Sequence, residues 1–88
     1  MTTEVDKILE ERGSRYGKFK DHAAITGRFK DIIDEFDFKL SRSQKESLDM
    51  IFHKIGRILN GDPNYADSWI DIAGYAKLVA DELEGDIK

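Results

Sequence analysis

The chain has 88 residues, 18 acidic against 14 basic, a net charge of −4 and no cysteine. One domain of this length buries only about 60–65% of its unfolded surface, and with disulfides and thiolate metal sites excluded, oligomerisation is the remaining common remedy. The negative balance argues against general duplex DNA binding. No apolar run approaches the roughly 20 residues of a membrane span and no signal-peptide core follows Met1, so the cytoplasm is the expected location.

The single Pro and few Val and Thr disfavour a sheet, and the chain reads as four helices within one domain over 1–88. Residues 3–12 form a short amphipathic helix with Val5, Ile8 and Leu9 on one side, and Gly13 ends it. A basic connector over 13–20 follows, in which Gly13 and Gly17 make positive φ cheap. Asp21 is the expected N-cap of a helix over 21–37, whose apolar set is Ala24, Ile25, Phe29, Ile32, Ile33 and Phe36. Gly27 inside it costs roughly 1 kcal/mol against Ala and marks a close approach by backbone or ligand.

The run Ser43-Gln44-Lys45-Glu46 reads as a capping box opening a helix over 44–60, with an apolar stripe from Leu48 to Leu59. Asn60-Gly61 supplies a left-handed stop, and Asn64 or Asp67 caps the last helix, over 65–84. The short link predicts an antiparallel hairpin, with Trp69 in the core and Gly56, Ala73, Gly74 and Ala76 permitting close packing.

The charges are not evenly spread. Residues 11–30 carry six Lys or Arg against Glu11 and Asp21, a local charge of +4, so the rest of the chain sums to −8. Cations that meet phosphate, an aromatic face that stacks a base and glycines that free backbone N–H groups together suit a nucleotide-sized anion. Tyr16 is either a core anchor or such a platform; Phe19 reads as core. Lys30 falls on a helix flank able to reach back toward the connector. One hairpin encloses no cavity, so full burial of a ligand requires a cleft between subunits.

The carboxylates give a different expectation. Asp67 and Asp71 share one helical face, as do Glu46 and Asp49 on the preceding helix, the type of arrangement with which helical pyrophosphohydrolases hold Mg²⁺. At about 1.5 Å rise per residue Asp49 lies some 16 Å below the hairpin turn, too far to join Asp67 and Asp71 on one ion. Ion pairs of Asp67 and Asp71 with Arg57, Lys54 or His53 are expected instead, and no metal or cofactor. No serine has a nucleophile-elbow context and Gly13-x-x-x-Gly17 lacks the Gly-Lys-Ser/Thr of a Walker loop, so nothing in the residues indicates an enzyme.

Three blocks carry a resemblance over nearly the whole chain: Ile8-Leu9-Glu10-Glu11-Arg12-Gly13-Ser14-Arg15-Tyr16-Gly17, His53-Lys54-Ile55-Gly56-Arg57-Ile58-Leu59-Asn60-Gly61-Asp62 and Asp67-Ser68-Trp69-Ile70-Asp71-Ile72-Ala73-Gly74-Tyr75-Ala76. The chain resembles small all-helical phage proteins, the anti-CBASS sponge proteins among them. The resemblance implies an interlocked homohexamer in the host cytoplasm that sequesters cyclic di- and trinucleotide immune signals without degrading them. It places the stacking tyrosine on Tyr16 and the phosphate-meeting lysine on Lys30, with Arg15 and Gly17 as motif neighbours. The Tyr-Gly and Asp-x-Ala-Gly-Tyr-Ala blocks are also similar to phage nucleotide-modification-associated domains and, more distantly, to Mg²⁺-dependent nucleoside triphosphate pyrophosphohydrolases.

Overall fold

A computed structural model describes residues 3–86. Among them every regular element is helical: α1 (Glu4–Tyr16), α2 (Phe19–Phe36), a 3₁₀ turn (Asp37–Lys39), α3 (Arg42–Asn60) and α4 (Ala66–Leu83). No helix among the described residues is long and apolar enough to cross a membrane.

α3 and α4 form the expected antiparallel hairpin. Ser47 Oγ donates to the Tyr75 carbonyl at 2.9 Å, and nearer the turn Lys54 Nζ meets Asp71 Oδ2 at 3.1 Å. α2 packs antiparallel on the other side of α3, where the Phe29 and Phe52 rings stack at 4.5 Å. Gly56 sets the closeness of that crossing. A Cβ there would meet Thr26 Cγ2 at 2.8 Å and His22 Cε1 at 3.0 Å, so only glycine lets α2 approach.

The helix ends depart from the sequence reading in ways that matter for the site. α1 does not stop at Gly13; it continues through Arg15 and Tyr16, and Gly17 ends it with φ +80 and an N–H bond to the Gly13 carbonyl. The basic segment 13–20 is therefore mostly helix, with Gly17 and Lys18 as its only connector residues. Asp21 caps nothing: α2 begins two residues earlier, after Lys18, with no side-chain cap. The α3 capping box is Ser41 with Gln44 rather than Ser43 with Glu46. Both registers fit the same short motif, and the earlier one adds two residues to the helix, directly after the extended Leu40.

α4 follows Tyr65 without a side-chain cap, so neither Asn64 nor Asp67 has the role expected. Gly61 is not left-handed, having φ −129. Its need for glycine is proximity, since a Cβ would strike the Arg15 carbonyl and the Tyr16 backbone. Gly27, by contrast, has nothing within 4 Å of a Cβ position, so no close approach within this chain explains it.

The core is thin. Ile33 is the one buried apolar side chain among the described residues, and His22, Thr26, Ser47, Ser68 and Asp81 are buried polar ones. Phe19 and Trp69, both expected inside, are 80% and 55% exposed, and the Trp69 indole instead donates to the Pro63 carbonyl at 2.8 Å. The accessible surface is 6738 Å², against about 5,300 Å² for a typical folded monomer of this mass. The radius of gyration is 15.2 Å where a compact chain of this length has about 12 Å.

Candidate nucleotide-binding groove

The C-terminal turn of α1 is pinned to the α3–α4 turn. Asn60 Nδ2 donates to the carbonyls of Tyr16 and Lys18 at 3.0 and 2.9 Å, and the Asp62 N–H donates to the Arg15 carbonyl at 2.8 Å. The bonds to Arg15 and Tyr16 satisfy carbonyls that the end of α1 otherwise leaves open, and the one to Lys18 adds to the bonds its carbonyl takes from α2. They also fix Tyr16, half-buried, beside α3.

There the Arg57 guanidinium lies 4.1 Å from the centre of the Tyr16 ring, and Tyr65 meets that ring edge-on at 6.1 Å. A cation over an aromatic face is worth about 0.5–2 kcal/mol, more as water is excluded. Arg15 turns the other way: its guanidinium covers Tyr65 at 4.4 Å, Nη1 donates to the Tyr65 hydroxyl at 3.3 Å, and Nη2 stands 3.9 Å from Glu11. The Tyr65 hydroxyl in turn donates to Asp67 at 3.0 Å, and that bond raises its pKa above the ordinary phenol value.

Between α1, the start of α2 and α3 lies a groove of about 540 Å³, walled by Leu9, Arg12, Gly13, Tyr16, Gly17, Lys18, Phe19, His22 and Arg57. Four of these nine are Arg, Lys or an aromatic on the sequence-predicted segment, and no carboxylate is among them. Of the residues expected at the site, Tyr16 and Gly17 line the groove. Arg15 belongs to the neighbouring Tyr65–Asp67 cluster. Lys30 is exposed on α2 outside the groove wall, close enough to lower the pKa of both His22 and His53.

The groove also holds residues that sequence reasoning did not select. Arg57 was assigned to the acids of α4, yet it is Lys54 that takes Asp71, leaving Arg57 to Tyr16. His22 is buried, with Nε2 3.3 Å from His53 Nδ1 and the two rings edge-on at 4.6 Å. His53 is thus the partner of His22, not of Asp71. Burial first, then Arg57, hold both imidazoles below their ordinary pKa, with His53 lowered to about 4. For His22 the Gly56 backbone pulls the other way without forming a well-aligned hydrogen bond to the buried Nδ1.

The acidic pairs do not assemble. Asp67 accepts from Tyr65 and Asp71 from Lys54, and among the described residues no three His, Asp or Glu side chains gather as metal ligands.

No curated protein and no solved structure matches this chain. The family described as "Domain of unknown function (DUF6378)" matches residues 1–83, nearly the full length that contributes α1 through α4. The chain belongs to the DUF6378 family.

Proposed function

We propose that this protein is a non-enzymatic binding protein that captures phosphate-bearing, base-carrying ligands in the groove beside Tyr16. The observation that carries this reading is the groove wall itself: Arg12, Lys18 and Arg57 with Tyr16 and Phe19, free of carboxylates, in a chain of net charge −4. Three cations offset the charge of a small dianion, and the ring face of Tyr16 opposite Arg57 is the platform for a base. Stacking of that kind contributes about 1–3 kcal/mol per base. Charge-assisted phosphate contacts are roughly twice as strong as neutral hydrogen bonds.

The resemblance to phage anti-CBASS sponges supplies the ligand class: cyclic di- and trinucleotide signals, held intact in the host cytoplasm so that the host defence is not triggered. Capture by mass action needs no catalytic residue. Oligomerisation belongs to the same reading. The surface exceeds that of a typical monomer by about 1,400 Å², and a standard interface takes about 800 Å² from each partner. Two such interfaces per chain would absorb the excess, in keeping with a closed homohexamer. A neighbouring copy is then the source of the Lys30 that completes the groove.

Calorimetry with cyclic dinucleotides tests the proposal on wild type, Tyr16→Ala and Lys30→Ala. Binding by wild type, weakened at least tenfold in Tyr16→Ala, is expected, with the ligand recovered intact after denaturation. Unchanged affinity in both variants removes these residues from the site. EDTA-sensitive release of pyrophosphate from nucleoside triphosphates would replace the sponge with a hydrolase.

A further inference from the structure

The imidazole pair at the base of the groove has no part in the reading above. His22 is 6% exposed and lines the groove, while His53 stands behind it on α3. Between Nε2 of one and Nδ1 of the other, 3.3 Å apart, there is room for one shared proton. A second proton would set N–H against N–H. Nδ1 of His22 is enclosed against Gly56 without a hydrogen-bond partner, an unsatisfied buried polar atom.

The charged side chains that act on the pair, Arg57, Lys54 and Lys30, are all cations. α1 presents Arg12 and α2 presents Lys18 on the groove wall, Lys30 acts from further along α2, and α3 contributes Lys54 and Arg57. α4 offers Asp71, whose carboxylate Lys54 engages at 3.1 Å. Asp21 on α2 and Asp49 on α3 are the acids nearest to the two rings in sequence. Such a setting keeps the pair neutral at pH 7 when the groove is empty. It also argues against a metal ion, although the nitrogen separation would suit two ligands of one ion, because the cations repel it and among the described residues no acidic ligand completes the set.

We propose that the His22–His53 pair makes ligand capture proton-linked: a phosphate-bearing anion held beside Arg57 draws one proton onto the imidazole pair, so its affinity rises as pH falls. This rests on the groove being the ligand site. The anion cancels the repulsion from Arg57 and its neighbours that keeps the pair neutral. By linkage, what the ligand does for the proton the proton does for the ligand.

The test uses calorimetry with cyclic di-GMP, whose phosphodiesters stay anionic throughout, at about pH 7 and about pH 5 in buffers of different ionisation heat. Affinity about 3–10-fold tighter at the lower pH, with uptake of up to one proton per site, is expected. His53→Asn, which lies behind the groove wall, abolishes the pH dependence. NMR titration of the wild-type imidazoles, with ligand shifting both upward, gives the same answer without a variant. Equal affinity at both pH values with no proton uptake overturns the linkage and leaves the binding site standing. If neither cyclic di-GMP nor any other cyclic di- or trinucleotide binds at either pH, the proposed function fails on its own account. Sulfate then decides the linkage: raised imidazole pKa values retain it, unmoved ones overturn it.

Discussion

At the scale of single residues, Gly17 and Asn60 hold the groove in shape. Gly17 combines a φ of +80 with contact against Asn60, where a Cβ would collide with the Asn60 backbone carbonyl. Gly17→Ala should therefore cost about 2–3 kcal/mol in urea denaturation, from backbone strain and displacement of α1 together. Asn60→Ala removes two hydrogen bonds, one to the otherwise open Tyr16 carbonyl and one to the Lys18 carbonyl that α2 already engages, and a loss of about 1–2 kcal/mol is expected. Tyr16 was legible as a residue of two possible roles because aromatic, cation and glycine lie together in sequence. Arg57 was not. Its meeting with Tyr16 follows from the Asn60 and Asp62 bonds to α1, which join residues more than forty apart, and no local pattern encodes them. Phe19 misled for a related reason: its apolarity is plain, but in the first turn of α2 it lines an open groove and stacks on the His22 ring at 6.4 Å instead of entering a core.

At the scale of elements, the stripes on α2, α3 and α4 gave the helices and the hairpin, while the ends required the structure. Two registers of one capping motif overlap here, and the sequence reading of Ser43 with Glu46 put the start of α3 two residues late. Ser41→Ala should lower stability by about 1 kcal/mol, and Ser43→Ala, already in the first turn, should have a far smaller effect. A thermal-melting comparison of the two separates the registers directly. The α2–α3 contact carries the pH response. Both imidazoles there have folded-state pKa values below their unfolded value of 6.5, so between about pH 6.5 and 4 the unfolded chain binds more protons than the native one. The stability from neutral His22 and His53 is complete above about pH 6.5 and is lost as pH falls, with a slope of at most about 1.4 kcal/mol per pH unit for each excess proton. Urea midpoints measured at pH 7, 6 and 5 should fall in that order, and His53→Asn should flatten the trend.

At the scale of the whole molecule, the chain leaves much apolar surface open. Val5, Ile8, Leu9, Phe19, Ile32 and Phe36 are exposed along α1 and α2, and the molecule measures 50 × 28 × 24 Å. Which apolar faces stay open was not legible in the sequence, since a stripe on a helix looks alike whether its own chain covers it or not. Sedimentation should give a multiple of the 10.1 kDa chain mass, and Phe36→Asp should shift the distribution toward smaller species.

The central claim is that the groove beside Tyr16 and Arg57 takes up an intact phosphate-bearing ligand. Native mass spectrometry after incubation with a mixture of cyclic di- and trinucleotides reads this most directly. The account predicts an oligomer carrying added mass equal to whole, unhydrolysed cyclic nucleotides, with that mass lost in Tyr16→Ala. An oligomer or monomer that gains no mass, or one that gains it equally well without the Tyr16 ring, would contradict it.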